Sequence, residues 1–295
     1  MNIKGNVLIL NVHNRQQQGL TLIEIMVALL IGAFLLAGVI QIFIVNKQTY
    51  RVQENLSRIQ ENGRFAMDYL SRYVRLAGYV ADDPLIGNKD QRSSDKTNII
   101  YSTFSPSTGP ISTPRGPISG PIYGDNNIDL NNSDSITVRF KADPDDYNPM
   151  TDCLGNAVAK NAIVTNQFFL ESNNNQPTLY CDPQHSAGDV SLATDDLKQP
   201  VIDGIENMQI RYCERLVTDK FRCVTPNNVT NWNNVKSVRI SLLVRSTDDG
   251  LVSQPQPYRW DTDGDGEDDN PLPTPTDRRL RRVFTTTISL RNTKD

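Results

Sequence analysis

Histidine is nearly absent from this 295-residue chain: His13 and His185 are the whole supply. That scarcity weighs against triad chemistry, and the nucleophile signals are missing too. There is no G-x-S-x-G elbow and no G-x-x-x-x-G-K-[ST] phosphate loop. The four cysteines, Cys153, Cys181, Cys213 and Cys223, include no C-x2-C pair, which removes the usual zinc pattern. Net positive charge is lacking as well. Against 30 Lys+Arg stand 34 Asp+Glu, a formal charge of −4, so a general nucleic-acid-binding surface is not favoured. No proline occurs between Leu20 and Asp83, so nothing there forbids one continuous helix. An enzyme is not the expectation.

What is present is a long apolar run with one carboxylate at its mouth. Residues 25–40 are all apolar or glycine, and apart from Gln41 the run continues to Val45. At ~1.5 Å per residue, the segment from Leu20 covers a hydrocarbon core of roughly 30 Å. Glu24 lies only four residues into it. An unpaired charge there costs on the order of a few kcal/mol in lipid, so a cationic partner or the headgroup region has to receive it. An amine exposed by cutting just before Leu20 is one such partner. A secretory signal would show a shorter apolar core followed by a small-residue cleavage site, which is not evident here, and an ordinary anchor has no need of Glu24.

The run Gly19-Leu20-Thr21-Leu22-Ile23-Glu24 ahead of the apolar helix resembles the leader and N-terminal segment of type IV prepilins and pseudopilins. The resemblance implies that a membrane prepilin peptidase cuts after Gly19 and methylates the new N-terminus, Leu20. Glu24 becomes the fifth mature residue, which in that family neutralises the N-terminus of a neighbouring subunit during assembly. Lys4 and Arg15 give the basic leader such proteins carry.

All four cysteines lie beyond the membrane segment. An even count in an exported, oxidised compartment points to disulfides. Of the three connectivities, proximity in the chain favours Cys153 with Cys181 and Cys213 with Cys223.

Beyond the apolar run, Val52, Leu56, Ile59, Gly63, Ala66, Leu70, Tyr73 and Ala77 recur at steps of four and three, one face of a continuing helix. Gly78 is placed to cap its C-terminus, with Pro84 shortly after. Residues 81–134 are rich in Pro, Gly, Ser and Asn and repeat a Gly-Pro-Ile phrase at Gly109, Gly116 and Gly120, punctuation rather than an element. Strand patterns follow at 135–140, 167–170, 178–180, 205–212, 235–244 and 282–290. The expected class is α+β, with a long N-terminal helix packed on an antiparallel sheet. The expected organisation is a leader over 1–19, a transmembrane and assembly helix over 20–45, its amphipathic continuation over 46–80, a loop over 81–134 and a β-rich periplasmic head over 135–295.

Within the superfamily the chain looks most like PilW-type minor pilins, through Asn62-Gly63-Arg64-Phe65-Ala66, Leu76-Ala77-Gly78-Tyr79 and the strand sequences starting at Ser133, Val238 and Arg281. The resemblance implies a low-abundance subunit that joins other minor pilins and the major pilin to prime pilus assembly. It also implies contact with the prepilin peptidase, the assembly platform and the inner membrane, and a final place at or near the pilus tip. Two alternatives stand beside it: a minor pseudopilin of a type II secretion system, and a tip adhesin or DNA-contacting component.

A second feature is the acidic run holding Asp261, Asp263, Asp265, Glu267 and Asp269 with Gly264 and Gly266. Alternate acids with glycine match the start of a calcium loop, but position twelve is Leu272 and the flanks are not helical, so an EF-hand is excluded. Two readings stay open: an isolated calcium loop borrowing Asp268, Asp269 or Asp277, or a solvated acidic turn. Calcium is the one cofactor the sequence raises. Arg278, Arg279, Arg281 and Arg282 follow. They are read either as a phosphate- or partner-binding patch or as charges offsetting the acidic loop, and strand alternation splits them between two faces.

Overall fold

The computed structural model describes residues 19–80, 121–126, 130–142, 150–159, 162–187, 190–192, 198–259 and 274–292. The chain forms two compact units, residues 1–50 and 51–295. Helix α1, Leu22–Leu76, contributes to both.

In the first unit α1 is apolar and uncovered. Leu22, Leu30, Phe34 and Phe43 are all more than two-thirds exposed. Gly32 and Gly38 do not break it, and no atom lies within 4 Å of the place a Cβ would take at either.

The second unit is α+β. Its strands among the described residues are β1 (Ile122–Asp125), β2 (Ser135–Lys141), β3 (Ile163–Asn173), β4 (Gln176–Ala187), β5 (Val190–Leu192), β6 (Gln199–Asp203), β7 (Ile205–Arg215), β8 (Phe221–Val224), β9 (Val235–Arg245) and β10 (Arg281–Ser289). One sheet was expected; there are two, both antiparallel. The first runs β1-β2-β3-β4-β5 with β6 also on β4, and the second runs β10-β9-β7-β8. Strand β1 falls inside the stretch read as loop.

Gly204 is where the chain changes sheets. Its N–H donates to Pro177 O of β4 (2.8 Å) while its carbonyl accepts from Arg245 N of β9 (2.9 Å), at φ +82. A left-handed residue with a backbone oxygen 3.1 Å from its would-be Cβ has to be glycine. Periodicity carries no signal for such a corner, because a strand that switches sheets keeps its alternation.

One face of α1 lies on both sheets. Ile59, Ala66, Leu70, Val74 and Ala77 share a core with Ile136, Val138, Phe168 and Leu179 of the first sheet and Met208, Ile210, Val238, Ile240 and Leu242 of the second. The expected stripe fails at one place: Leu56 is exposed and its neighbour Asn55 is buried. Asn55 is satisfied there, donating from Nδ2 to Arg51 O (3.0 Å) and to Asp248 Oδ2 (3.3 Å). A buried amide with partners costs little, so hydrophobicity alone misassigns the face.

Two further contacts fix the helix. A Cβ at Gly63 would sit 2.3 Å from the Phe284 ring, so the helix approaches β10 more closely than any other residue would permit. At the C-terminus Gly78 (φ +73) donates its N–H to Arg139 O (2.9 Å), and Asn292 Nδ2 caps the helix on Arg75 O (3.2 Å) and Ala77 O (3.3 Å).

Candidate functional site

The first turn of α1 is built by Thr21. Its Oγ1 accepts from Glu24 N at 3.4 Å, and its carbonyl accepts from Glu24 N (3.1 Å) and Ile25 N (3.2 Å). Thr21 is the N-cap and Glu24 the third helical residue, the spacing of a capping box. The Thr-x-x-Glu spacing is visible in the sequence as a helix-start signal. The geometry gives Glu24 a local role: an acidic side chain in the first turn faces the positive end of the helix dipole. Glu24 is exposed, and among the described residues it has no ion pair. Gly19 and Leu20 precede the helix in non-helical backbone, with nothing within 4 Å of a Cβ at Gly19. Among the described residues the segment therefore presents a single carboxylate and an uncovered apolar rod, and such a surface has to be covered by lipid or by other helices.

Both cysteine pairs of the second unit are bonded, Cys153 to Cys181 and Cys213 to Cys223. Cys153 sits in a strap, residues 150–158, folded on itself by a Thr151–Ala157 bridge. The strap is tied to α1 by Tyr73 Oη donating to Asp152 O (3.0 Å) and by Tyr69 Oη donating to Cys153 O. Burial, reinforced by Tyr73 and Asp152, pushes the Tyr69 hydroxyl well above its usual range and keeps it a donor. Asp152 is the hub. Its carboxylate accepts from Leu154 N (2.8 Å), Asn156 N (2.9 Å) and Asn156 Nδ2 (3.0 Å) and lies 3.2 Å from His185 Nε2. His185 stands in β4, facing this carboxylate.

The acidic run with Asp261, Asp263, Asp265, Glu267 and Asp269 lies outside the described residues, and so does its calcium reading. Among the described residues no cluster of three or more His, Cys, Asp or Glu side chains could hold a metal. Residues 274–292 are described, and they disperse the arginine cluster. Arg281 is 5% exposed and chelates two carboxylates: Nε and Nη2 on Glu206 (2.6 and 2.9 Å), Nη1 and Nη2 on Asp277 (2.6 and 2.9 Å). Those hydrogen bonds hold the Asp277 carboxyl down to about 2. Arg279 is spent on the carbonyls of Ser246 (2.9 Å) and Thr247. Arg282 lies over the Phe284 ring (5.7 Å). Arg281 and Arg279 are thus held inside the fold by Glu206, Asp277 and backbone carbonyls, so the four do not form one patch.

Against known proteins, two family models match. Residues 167–292 match the Type IV Pilus-assembly protein W model and residues 14–40 the prokaryotic N-terminal methylation motif. No curated protein sequence matches significantly. Among solved structures the chain is similar to a type IV-like pilin from Thermus thermophilus, at 15% identity over 72% of this chain and 98% of that one, with a TM-score of 0.31. The methylation motif falls on the Thr21-capped apolar helix and the PilW match on β3 through β10, so the two matches together support a type IV pilin-related chain with a PilW-like head.

Proposed function

We propose that this protein is a minor pilin of the type IV pilus. It is cut after Gly19, carries a methylated Leu20 as its N-terminus, and joins other minor pilins and the major pilin in a complex that primes fibre assembly. Before assembly the helix over 20–45 sits in the inner membrane with the head in the periplasm; after it, the subunit is placed at or near the tip. The observation that carries this reading is the first turn of α1. Thr21 closes the helix there, leaving Glu24 with no ion pair among the described residues at the mouth of an uncovered apolar rod. A charge so placed is received by a neighbouring subunit's amine, where low dielectric strengthens and orients an otherwise modest pair.

The test has two parts. Intact mass and N-terminal sequencing of protein from cells with and without prepilin peptidase should show methylated Leu20 only when the peptidase is present; a chain still starting at Met1 in both strains refutes the processing. Glu24→Gln keeps the Thr21 cap and should be processed normally yet fail to co-assemble. Normal pilus assembly by that variant refutes the role of the carboxylate. A deletion strain defective in protein secretion but not piliation would move the protein to a type II secretion system.

A further inference from the structure

We propose that the Cys213–Cys223 disulfide is a thiol-exchange site, opened and closed at Cys223 by a dithiol–disulfide oxidoreductase that docks on Phe221 and Val217. The two disulfides of the head differ in access. Cys153 is 4% exposed and Cys181 is fully buried, and both belong to the core under α1, where the strap meets β4. Cys213 is 6% exposed, but Cys223 stands uncovered on β8, the last strand of its sheet among the described residues. A thiolate opens a disulfide only by reaching one of its sulfurs. Burial therefore protects the first pair and leaves the second open from the Cys223 side.

The surroundings of Cys223 select the occupant. In the β7–β8 register Cys213 faces Cys223 and Arg215 faces Phe221, so Phe221 and Cys223 lie on one face of β8, two residues apart. Phe221 is 63% exposed and Val217, at the turn, is uncovered altogether. Exposed apolar side chains are ordinary when scattered. These two flank an accessible disulfide, whose natural reactant is a thiolate, so a protein that binds the aromatic ring and attacks the sulfur beside it fits both features. The hairpin also suits an anionic nucleophile. Arg215, Lys220 and Arg222 stand against Glu214 and Asp219, a net charge of +1 over residues 214–222.

The hairpin is held independently of the disulfide. Leu216 N donates to Lys220 O (2.8 Å), Asp219 N donates to Leu216 O (2.9 Å), and Asp219 sits in the left-handed region with its carboxylate on Arg215 (2.8 Å). Glu214, 1% exposed, is the anchor. It accepts from Arg222 Nη2 (2.5 Å), Thr230 N (3.1 Å), Thr230 Oγ1 (2.7 Å) and Asn231 N (3.2 Å). The pair can open while the strands stay in register, which keeps Cys213 beside Cys223 and lets the bond re-form.

The exchange runs in two balanced steps. The first thiolate of the partner attacks Cys223 Sγ, the bond between the two sulfurs breaks, and its electron pair leaves on Cys213, which takes up a proton. The second thiolate of the partner then attacks the partner's own sulfur in the mixed disulfide and releases Cys223, which is protonated in turn. Two electrons pass from the dithiol to this pair, the partner ends as a disulfide, and two protons end on Cys213 and Cys223. An oxidised partner runs the same steps backwards. This site goes beyond the pilus reading and does not depend on where the leader is cut.

The test uses the oxidised full chain in detergent micelles. The probes are reduced thioredoxin, thioredoxin with its resolving cysteine replaced by serine as a trap, and glutathione as a small-thiol control. Alkylation and peptide mass mapping should find the trap on Cys223 with Cys213 free, the Cys153–Cys181 bond intact and tryptophan fluorescence unchanged. Phe221→Ser alters an exposed side chain and keeps the fold. It should slow opening by thioredoxin at least about fivefold, the loss of one interface anchor, and leave opening by glutathione within about twofold. Trapping on Cys213, Cys153 or Cys181, equal rates of opening for the two disulfides, or failure of thioredoxin to open Cys213–Cys223 overturns the proposal. So does a Phe221→Ser variant that slows both reagents alike or neither, and a fluorescence change showing that the head unfolds when the pair opens.

Discussion

Gly63→Ala sets two opposing terms of similar size against each other. In a helix interior alanine is favoured over glycine by about 1 kcal/mol. The new methyl group, however, would stand 2.3, 2.5 and 2.6 Å from Cε2, Cζ and Cδ2 of Phe284, where carbon atoms need about 3.5–4.0 Å. The ring must retreat by over ~1 Å or the helix must lift from β10. Phe284 is only partly buried, so its ring can swing, but it is packed on the shared core and lies under the Arg282 guanidinium. Overpacking of this kind costs about 1–3 kcal/mol, which leaves a net loss of about 1 kcal/mol. The assay is guanidinium denaturation of the mature chain in detergent, followed by tryptophan fluorescence, with Trp232 packed on Tyr212 in the core as reporter. Phe284→Leu in the Gly63→Ala background should recover most of the loss, a coupling of about 1 kcal/mol between the two sites. If Gly63→Ala instead stabilises the protein by the full helix-propensity gain, the ring is not seated on the helix and the docking described above is wrong.

Glu214→Ala removes the acceptor of four hydrogen bonds in a buried place and should destabilise the head by about 2–4 kcal/mol in the same assay, with Glu214→Gln about half as costly. Burial raises the Glu214 carboxyl, but Arg222, Thr230 and Asn231 outweigh it and hold it below the usual range, so the anchor is charged at neutral pH. Asp277, held to about 2 by Arg281, contributes stability that is fully present above about pH 4 and is lost as pH falls toward 2. Its quarter-exposed side chain reduces the effect to about 1–2 kcal/mol, so the gap between wild type and Asp277→Asn should shrink steadily below about pH 4 and close only below about pH 2. Opening the disulfide between Cys153 and Cys181, 28 residues apart, should cost about 3.6 kcal/mol, and the pair Cys213 and Cys223, 10 apart, about 2.7 kcal/mol. Paired Cys→Ser melts in the reverse order would show that the strap contributes nothing to stability.

Much of the protein was legible from local pattern. The apolar run and the stripe from Ile59 to Ala77 produced α1, Gly78 its end, and alternation six of the strands, because helix and strand periods are set by neighbours in the chain. Asn55 was missed because its partner Asp248 is almost two hundred residues away. The arginine cluster left two readings open for the same reason: Glu206, which takes Arg281, lies on β7. His185 gave no sequence signal of its approach to Asp152, which depends on a strap held by a disulfide.

The sequence by itself determined what is covalent or local: the Gly19-to-Glu24 motif, a membrane-length apolar helix, the α+β class and the even set of cysteines. Tertiary structure alone decided that the strands divide into two sheets at Gly204, that Gly63 admits the Phe284 ring, and which charges are spent inside the fold. These depend on backbone approach and on contacts between residues far apart in the chain, where a side chain's neighbours are chosen by packing and not by its position in a repeat.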